Sequence, residues 1–295
     1  MLFFLNIIRN HFIPLLSVCF LLLFFDNGID SLDLIEKKEN NSECYNLCFE
    51  KVESEIHEKY IPGNYNLTFY ENYLGQSTMV LWRFIPAEYF PEIEYSESAD
   101  YAVDMANDNN ATCAINASRF NMKTNSFVGY FRKNGKTIHE NDKTNDSSAY
   151  SILCCKNGVL SCEPVTKSTE ELDNKDYDWA LYGWEAIIID GQRSIRANQP
   201  EMGAIVTDFH PRSFIAQNYD GSYLIGVTDG RSSDSRGFLL SDVDNFLLST
   251  GYNIRFAYSL DGGGSVSLVE KGKRVNPLID KKKRKVKSII YFKYD

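Results

Sequence analysis

Zinc-type cysteine spacing is missing from this sequence. Cys44 and Cys48 are separated by three residues, and Cys154, Cys155 and Cys162 form no spaced pairs, so no metal site is expected. Histidine is scarce: there are four, and only His210 lies in a patterned segment. No tandem repeat or sustained heptad is present, which excludes solenoids and coiled coils. Apart from one short N-terminal run there is no long apolar stretch, so the mature chain is expected to carry no membrane span. Nothing in the sequence asks for a cofactor.

What remains is ordinary globular material. The 295 residues are 43% hydrophobic and 24% charged, enough to bury a sizeable core. Arg9 and His11 precede an apolar run from Phe12 to Phe25, broken only by Pro14 and Ser17. That run is short for a bilayer and fits a signal-peptide core, so residues 1–28 are read as a cleaved signal. Cys19 lies within it. Six cysteines remain, an even number that predicts disulfides in a secretory chain. Sequons at Asn40, Asn66, Asn110, Asn116 and Asn145 point the same way, to a glycoprotein of the secretory lumen or the cell exterior.

The net charge of −9 is uneven. Residues 271–295 hold ten Lys or Arg against two Asp, a balance of +8 that leaves −17 on the rest. The run Lys281–Lys282–Lys283–Arg284–Lys285 with Lys287 looks like a nuclear-import signal, but a signal peptide directs the chain elsewhere, and no nucleic-acid partner is expected. It reads as a solvated turn between two C-terminal strands, or as an attraction for an anionic glycan or membrane surface.

Residues 29–60 read as a polar N-terminal segment with Cys44 and Cys48, and 61–295 as the main domain. Strand-forming runs are predicted at Thr78–Ile85, Thr112–Ile115, Glu185–Asp190, Ala204–Thr207, Ser213–Gln217, Tyr223–Asp229, Phe256–Asp261, Val266–Glu270 and Lys287–Tyr294. Helical spacing appears over Glu97–Asn109 and Asp242–Thr250, the latter capped by Ser241 and ended by Gly251. Residues 132–176 read as a polar surface excursion stapled by three cysteines. The class that follows is α+β, a mixed sheet core flanked by a few helices in a single main domain.

Four segments sit at strand ends, where functional loops gather. Asp261-Gly262-Gly263-Gly264-Ser265 offers a carboxylate and unshielded backbone amides, an anion-binding nest or else a plain flexible turn. Asp229-Gly230-Arg231 joins a carboxylate to a guanidinium, or is a surface turn. His210-Pro211-Arg212 pairs a neutral-pH titrating group with a bidentate anion binder, or is a structural turn. Asn116, in the run Ile115-Asn116-Ala117-Ser118-Arg119-Phe120, ends a strand and can hydrogen-bond a ligand or the backbone.

The chain order of these segments, with Gly237-Phe238-Leu239-Leu240-Ser241-Asp242 between Asp229-Gly230-Arg231 and the glycine loop, resembles the phosphodiester glycosidase domain over roughly residues 65–295. Asp242 stands where that family usually has Glu, Ala117 where it usually has Gly, and Val266 where it usually has a second Ser. The resemblance implies hydrolysis of a sugar-1-phosphodiester, as when N-acetylglucosamine is removed from a mannose 6-phosphate diester. It also implies a phosphorylated glycan as partner and a Golgi- or lysosome-like lumen as workplace. Breaking a bond from an anomeric carbon to phosphate builds positive charge on the sugar, which a carboxylate stabilises, while cations hold the departing phosphate. Asp261 is the first candidate carboxylate, with Asp229 and His210 beside it as catalytic groups. Arg212, Arg231, Gly262, Gly263, Gly264 and Ser265 are expected to bind phosphate, and Asn116 a sugar substituent.

Overall fold

The computed structural model describes residues 65–72, 74–140, 151–194, 204–232 and 235–294. The signal segment 1–28, residues 29–60 with Cys44 and Cys48, and the sequons Asn40 and Asn145 lie outside them. The strands are β1 (Asn66–Glu71), β2 (Ser77–Ile85), β3 (Glu92–Asp100), β4 (Cys113–Asn116), β5 (Phe131–Lys133), β6 (Lys136–His139), β7 (Ser151–Lys156), β8 (Val159–Pro164), β9 (Trp179–Leu181), β10 (Glu185–Ile189), β11 (Gln192–Arg193), β12 (Ser213–Asn218), β13 (Tyr223–Thr228), β14 (Ile254–Ser259), β15 (Leu268–Glu270), β16 (Lys273–Arg274) and β17 (Val286–Phe292). The helices are α1 (Ala102–Asp108), α2 (Thr169–Asp173), α3 (Ala204–Thr207) and α4 (Leu240–Ser249).

Three sheets result. One runs β1-β2-β13-β12-β14-β10-β11, the second β16-β15-β4-β17-β3, the third β6-β5-β9-β7-β8. Every pairing among the described strands is antiparallel, so the expected mixed sheet is corrected to antiparallel sheets, and the fold is sheet-rich rather than evenly α+β. Short turns, which reverse the chain, close hairpins such as β1–β2, β5–β6, β7–β8 and β12–β13, while other pairs join strands distant in sequence.

The core follows from side-chain alternation. Ile215, Ile225, Val227, Phe256 and Tyr258 of the first sheet share a buried cluster with Ile93, Ile115, Leu268, Ile290 and Phe292 of the second. On the other face of the first sheet, Phe214, Ala216, Leu224 and Ala257 pack against Leu240, Val243, Phe246 and Leu247 of α4. Ala102, Met105 and Ala106 of α1 cover Ala114, Val269 and Ile289 behind the second sheet. Truncating a side chain such as Phe246 to Ala would cost about 3–5 kcal/mol.

Helix α4 starts two residues earlier than its sequence suggests. Leu239 occupies the cap, and its N–H donates to Asp242 Oδ2 at 2.9 Å, so Ser241 lies inside the helix. Gly251 follows the end with φ +78°, as expected. The helical spacing over Glu97–Asn109 resolves into strand β3 up to Asp100 and then α1. Ala204–Thr207, expected as a strand, is helical; four residues are too few for apolar content to separate the two states.

The 132–176 excursion is also corrected. It contributes most of the third sheet, with β7 buried along Ser151–Cys155. Asn134-Gly135 and Asn157-Gly158 both adopt positive φ and close the β5–β6 and β7–β8 hairpins. Cys113, Cys154 and Cys155 are buried thiols without a disulfide, so the expected cysteine staple is absent there. Cys154 and Cys155 point to opposite faces of β7 and enter two different apolar clusters. Burial pushes the Cys113 and Cys155 thiols up to about 12, which makes them unreactive. Of the described sequons, Asn66 and Asn110 are exposed and Asn116 is fully buried. No described helix is long and apolar enough to cross a membrane.

Candidate active site

Antiparallel register gathers the strand ends that carry the patterned segments. Ser213 at the start of β12 lies opposite Val227 near the end of β13, and Phe214 lies opposite Ser259 at the end of β14. The second sheet contributes Asn116 at the end of β4. Its Nδ2 donates to the Asp261 carbonyl at 2.6 Å, while its Oδ1 accepts from Ser213 Oγ at 2.7 Å and the Ser267 N–H at 2.9 Å. Both ends of this buried amide are therefore occupied by protein. Asn116 positions the glycine loop, and the expected contact with a sugar substituent is not built into this geometry.

The loop after β14 turns through a single 3-10 turn, Gly263–Ser265. The Asp261 N–H donates to the Ala117 carbonyl at 3.0 Å, and the Gly263 N–H to the Pro211 carbonyl at 2.9 Å. A Cβ on Gly262 would lie 2.7 Å from the Pro211 oxygen, and Gly263 has φ +62°. Close approach and backbone conformation thus both demand glycine here. The His210-Pro211-Arg212 segment forms the wall on which the loop rests.

Asp261 keeps partial solvent access within dense surroundings. Burial raises its carboxyl to about 6, against a hydrogen bond from the Ser265 side chain, the charges of Arg119 and Arg284, and a bond from the Gly262 backbone. A carboxylate raised towards neutrality at a strand end marks a candidate functional group. His210 is half-buried, and burial followed by the Arg212 and Arg231 charges lowers its pKa, so it is held neutral.

The other expected groups have structural engagements. Arg212 is 2% exposed, with Nε donating to the Phe238 carbonyl at 3.0 Å and Nη2 to the Asp208 carbonyl at 3.1 Å. Burial pushes it down to about 9, and Asp242 and Asp208 hold its charge against that. It braces the wall from behind. Asp229 Oδ1 accepts from the Met79 N–H at 3.0 Å and Ser235 Oγ at 2.7 Å, fastening the end of β13 to β2. Arg231 has φ +61°, pairs with Asp280 at 3.1 Å, and sets its guanidinium over Gly263.

Three residues that sequence reasoning did not select belong here. The Arg119 guanidinium lies 3.7 Å from the Trp184 ring centroid, and its charge reaches Asp261. Arg284, from the basic run, packs on Gly264 and also acts on Asp261. Glu185 is fully buried and pairs in register with Ser259, two residues before Asp261. Arg119 lies in the run after Asn116 and Arg284 in the basic run, but neither is in a strand, and only tertiary packing brings them to the loop; Glu185 is brought there by strand pairing. Among the described residues no three His, Cys, Asp or Glu side chains group as metal ligands.

The sequence profile of the phosphodiester glycosidase family matches residues 109–293. That span runs from before Asn116 to beyond Arg284. The fold is similar to the catalytic domain of zebrafish N-acetylglucosamine-1-phosphodiester alpha-N-acetylglucosaminidase, described as auto-inhibited by its pro-peptide. The TM-score is 0.63 at 17% identity, over 79% of this chain and 83% of that one. A protein from Synechocystis gives 0.54 at 16% identity, over 77% of this chain and 61% of that one. A Bacillus subtilis prophage-derived protein, YomE, is 38% identical over 85 residues, 29% of this chain and 13% of its own length. The structural likenesses speak to fold alone.

Proposed function

The chain belongs to the phosphodiester glycosidase family, and from that premise we propose that it hydrolyses the C1–O bond of a sugar-1-phosphodiester in the secretory pathway, with residues 61–295 as the catalytic domain. The observation that carries this reading is the setting of Asp261. A carboxylate raised to about 6 stands at the head of a glycine loop, with guanidinium groups over Gly263 and Gly264. Ionised Asp261 stabilises the positive charge developing at the anomeric carbon, or takes a proton from the attacking water. The leaving phosphate has a second pKa of ~6 and departs without strong general-acid help. Its charge is met by arginine, since the Gly263 and Ser265 N–H groups of the loop already donate to backbone carbonyls. Neutral His210 is a second proton acceptor beside the loop.

The test uses the secreted protein and an N-acetylglucosamine-α-phosphate-mannose diester, following release of free sugar. Asp261→Asn is expected to lower kcat by about 10³-fold or more without lowering its thermal transition. Unchanged turnover in that variant removes Asp261 from the chemistry. A second reading, a phosphoglycan-binding protein without turnover, is favoured by one observation: Asn116, Arg212 and Asp229 are all engaged within the protein. It is supported by saturable binding of the diester with no product over many hours, and excluded by any turnover that Asp261→Asn abolishes.

A further inference from the structure

Four arginines surround the loop, and three are engaged. Arg119 stacks on Trp184, Arg212 donates to two backbone carbonyls, and Arg231 pairs with Asp280. Arg284 is different: among the described residues it makes no hydrogen bond and no ion pair. It is nevertheless not adrift. It is half-buried, between exposed Lys283 and exposed Lys285. A Cβ placed on Gly264 would meet its Cζ at 2.4 Å and its two terminal nitrogens at 2.6 and 2.7 Å. Three near-equal distances mean that the guanidinium lies face-on against the glycine. The absence of a side chain at 264 makes room for it, and packing fixes its plane while its N–H groups stay uncommitted.

We propose that Arg284 is the specificity-determining residue that binds the phosphate of the substrate; this rests on the phosphodiester glycosidase reading of the same site. A phosphodiester carries one negative charge over two non-bridging oxygens, and a planar guanidinium presents two parallel N–H donors to such a pair. On cleavage of the C1–O bond, the bond's electron pair passes to the phosphate oxygen, and the monoester gains a second negative charge. Water supplies the hydroxyl to C1 and its proton leaves by Asp261 or solvent. Arg284 therefore holds the leaving group more strongly as the bond breaks, which lowers the barrier and not only KM. A substrate without a phosphate, such as an aryl glycoside whose leaving phenolate carries one charge spread into its ring and offers no pair of non-bridging oxygens, gains little from the fork.

The experiment compares Arg284→Gln, Arg284→Lys and Lys283→Gln with the wild type on two substrates: the N-acetylglucosamine-α-phosphate-mannose diester and a p-nitrophenyl α-N-acetylglucosaminide. Arg284→Gln should lower kcat/KM on the diester by about 10²–10³-fold, the scale of losing one transition-state charge donor. On the aryl glycoside it should change by less than about threefold. Arg284→Lys, which keeps the charge and loses the fork, should recover part of the loss; Lys283→Gln should leave both substrates within about twofold. Equal losses on both substrates, or an equal loss in Lys283→Gln, overturn the assignment. Inactivity of the wild type on both substrates is a failure of the function reading instead. Titration with inorganic phosphate then decides separately. Binding at least about tenfold weaker in Arg284→Gln than in the wild type keeps Arg284 as an anion site, and equal or undetectable binding overturns it.

Discussion

Arg83 and Arg284 each face a carboxylate, and the two are built in opposite ways. Arg83 and Glu270 are 5% and 2% exposed and joined as an ion pair. The Arg83 guanidinium also lies 5.4 Å from the Tyr65 ring centroid and 4.9 Å from that of Tyr294. Arg284 acts on Asp261 only through its field, leaving the carboxyl raised to about 6 and its own donors uncommitted. The first pair is joined directly in the folded protein, with Arg83 Nε left without a hydrogen-bond partner, while the second interacts without a direct ion pair. Arg83 thus serves the fold through a direct pair, and the role proposed for Arg284 rests on a fixed position with donors left open.

The largest way to break the comparison is to remove Glu270. Glu270→Ala leaves Arg83 charged and buried without its carboxylate, and should cost about 3–5 kcal/mol in urea unfolding. A loss below about 1 kcal/mol would mean that Arg83 is held by the tyrosines and not by the pair.

Asp261 should behave in the opposite direction. Its folded value near 6 lies above the ordinary 3.8, so the folded state favours the protonated form. Its contribution to stability is complete below about pH 4 and lost as pH rises through 6. Asp261→Asn should therefore stabilise the protein by about 1–3 kcal/mol at pH 8, with the gain vanishing near pH 4. The same titration should give the wild-type rate an acid limb near pH 6. A pH-independent Tm difference would show that burial does not oppress this carboxylate.

The smallest effect calibrates the others. Ser168 caps α2, accepting from the Glu171 N–H at 3.2 Å, while Glu171 Oε2 accepts from the Ser168 N–H at 2.8 Å. Ser168→Ala should cost about 1 kcal/mol and leave the pH dependence of stability unaltered. A larger shift would mean that the third sheet is coupled to the site end.

Much of the site was legible because its residues sit in turns with strong chemical signatures. Asp261 and the three glycines stand where a strand ends, and Pro211 and Arg231 meet them in space. The roles were less legible than the places. Arg212 and Asn116 carry groups suited to ligands, yet backbone carbonyls and amides claim them first, and sequence does not show which neighbours burial will supply. Arg284 was hidden for the reverse reason: within a lysine-rich run it reads as one more solvated charge. In the fold, the strands buried on both faces and the helix α4 were readable from apolar runs. The third sheet was obscured by polar residues around it, although Asn134-Gly135 and Asn157-Gly158 are strong hairpin signals. Counting cysteines misled, because parity says nothing about which thiols the core will hide.

Strand β17 is the last of the described strands, yet it lies in the interior of the second sheet, between β4 and β3. Its Ser288 carbonyl accepts from the Ala117 N–H at 3.0 Å, and Arg284 precedes it by two residues. Until those residues have emerged during synthesis, the sheet stands in two halves and the loop lacks its open guanidinium. Pairings between residues 93 and 290 or 115 and 290 are far apart along the chain, and such closures are slow. The second sheet, and with it the seating of Arg284 on Gly264, is therefore completed by one long-range closure, the insertion of a single strand between two others.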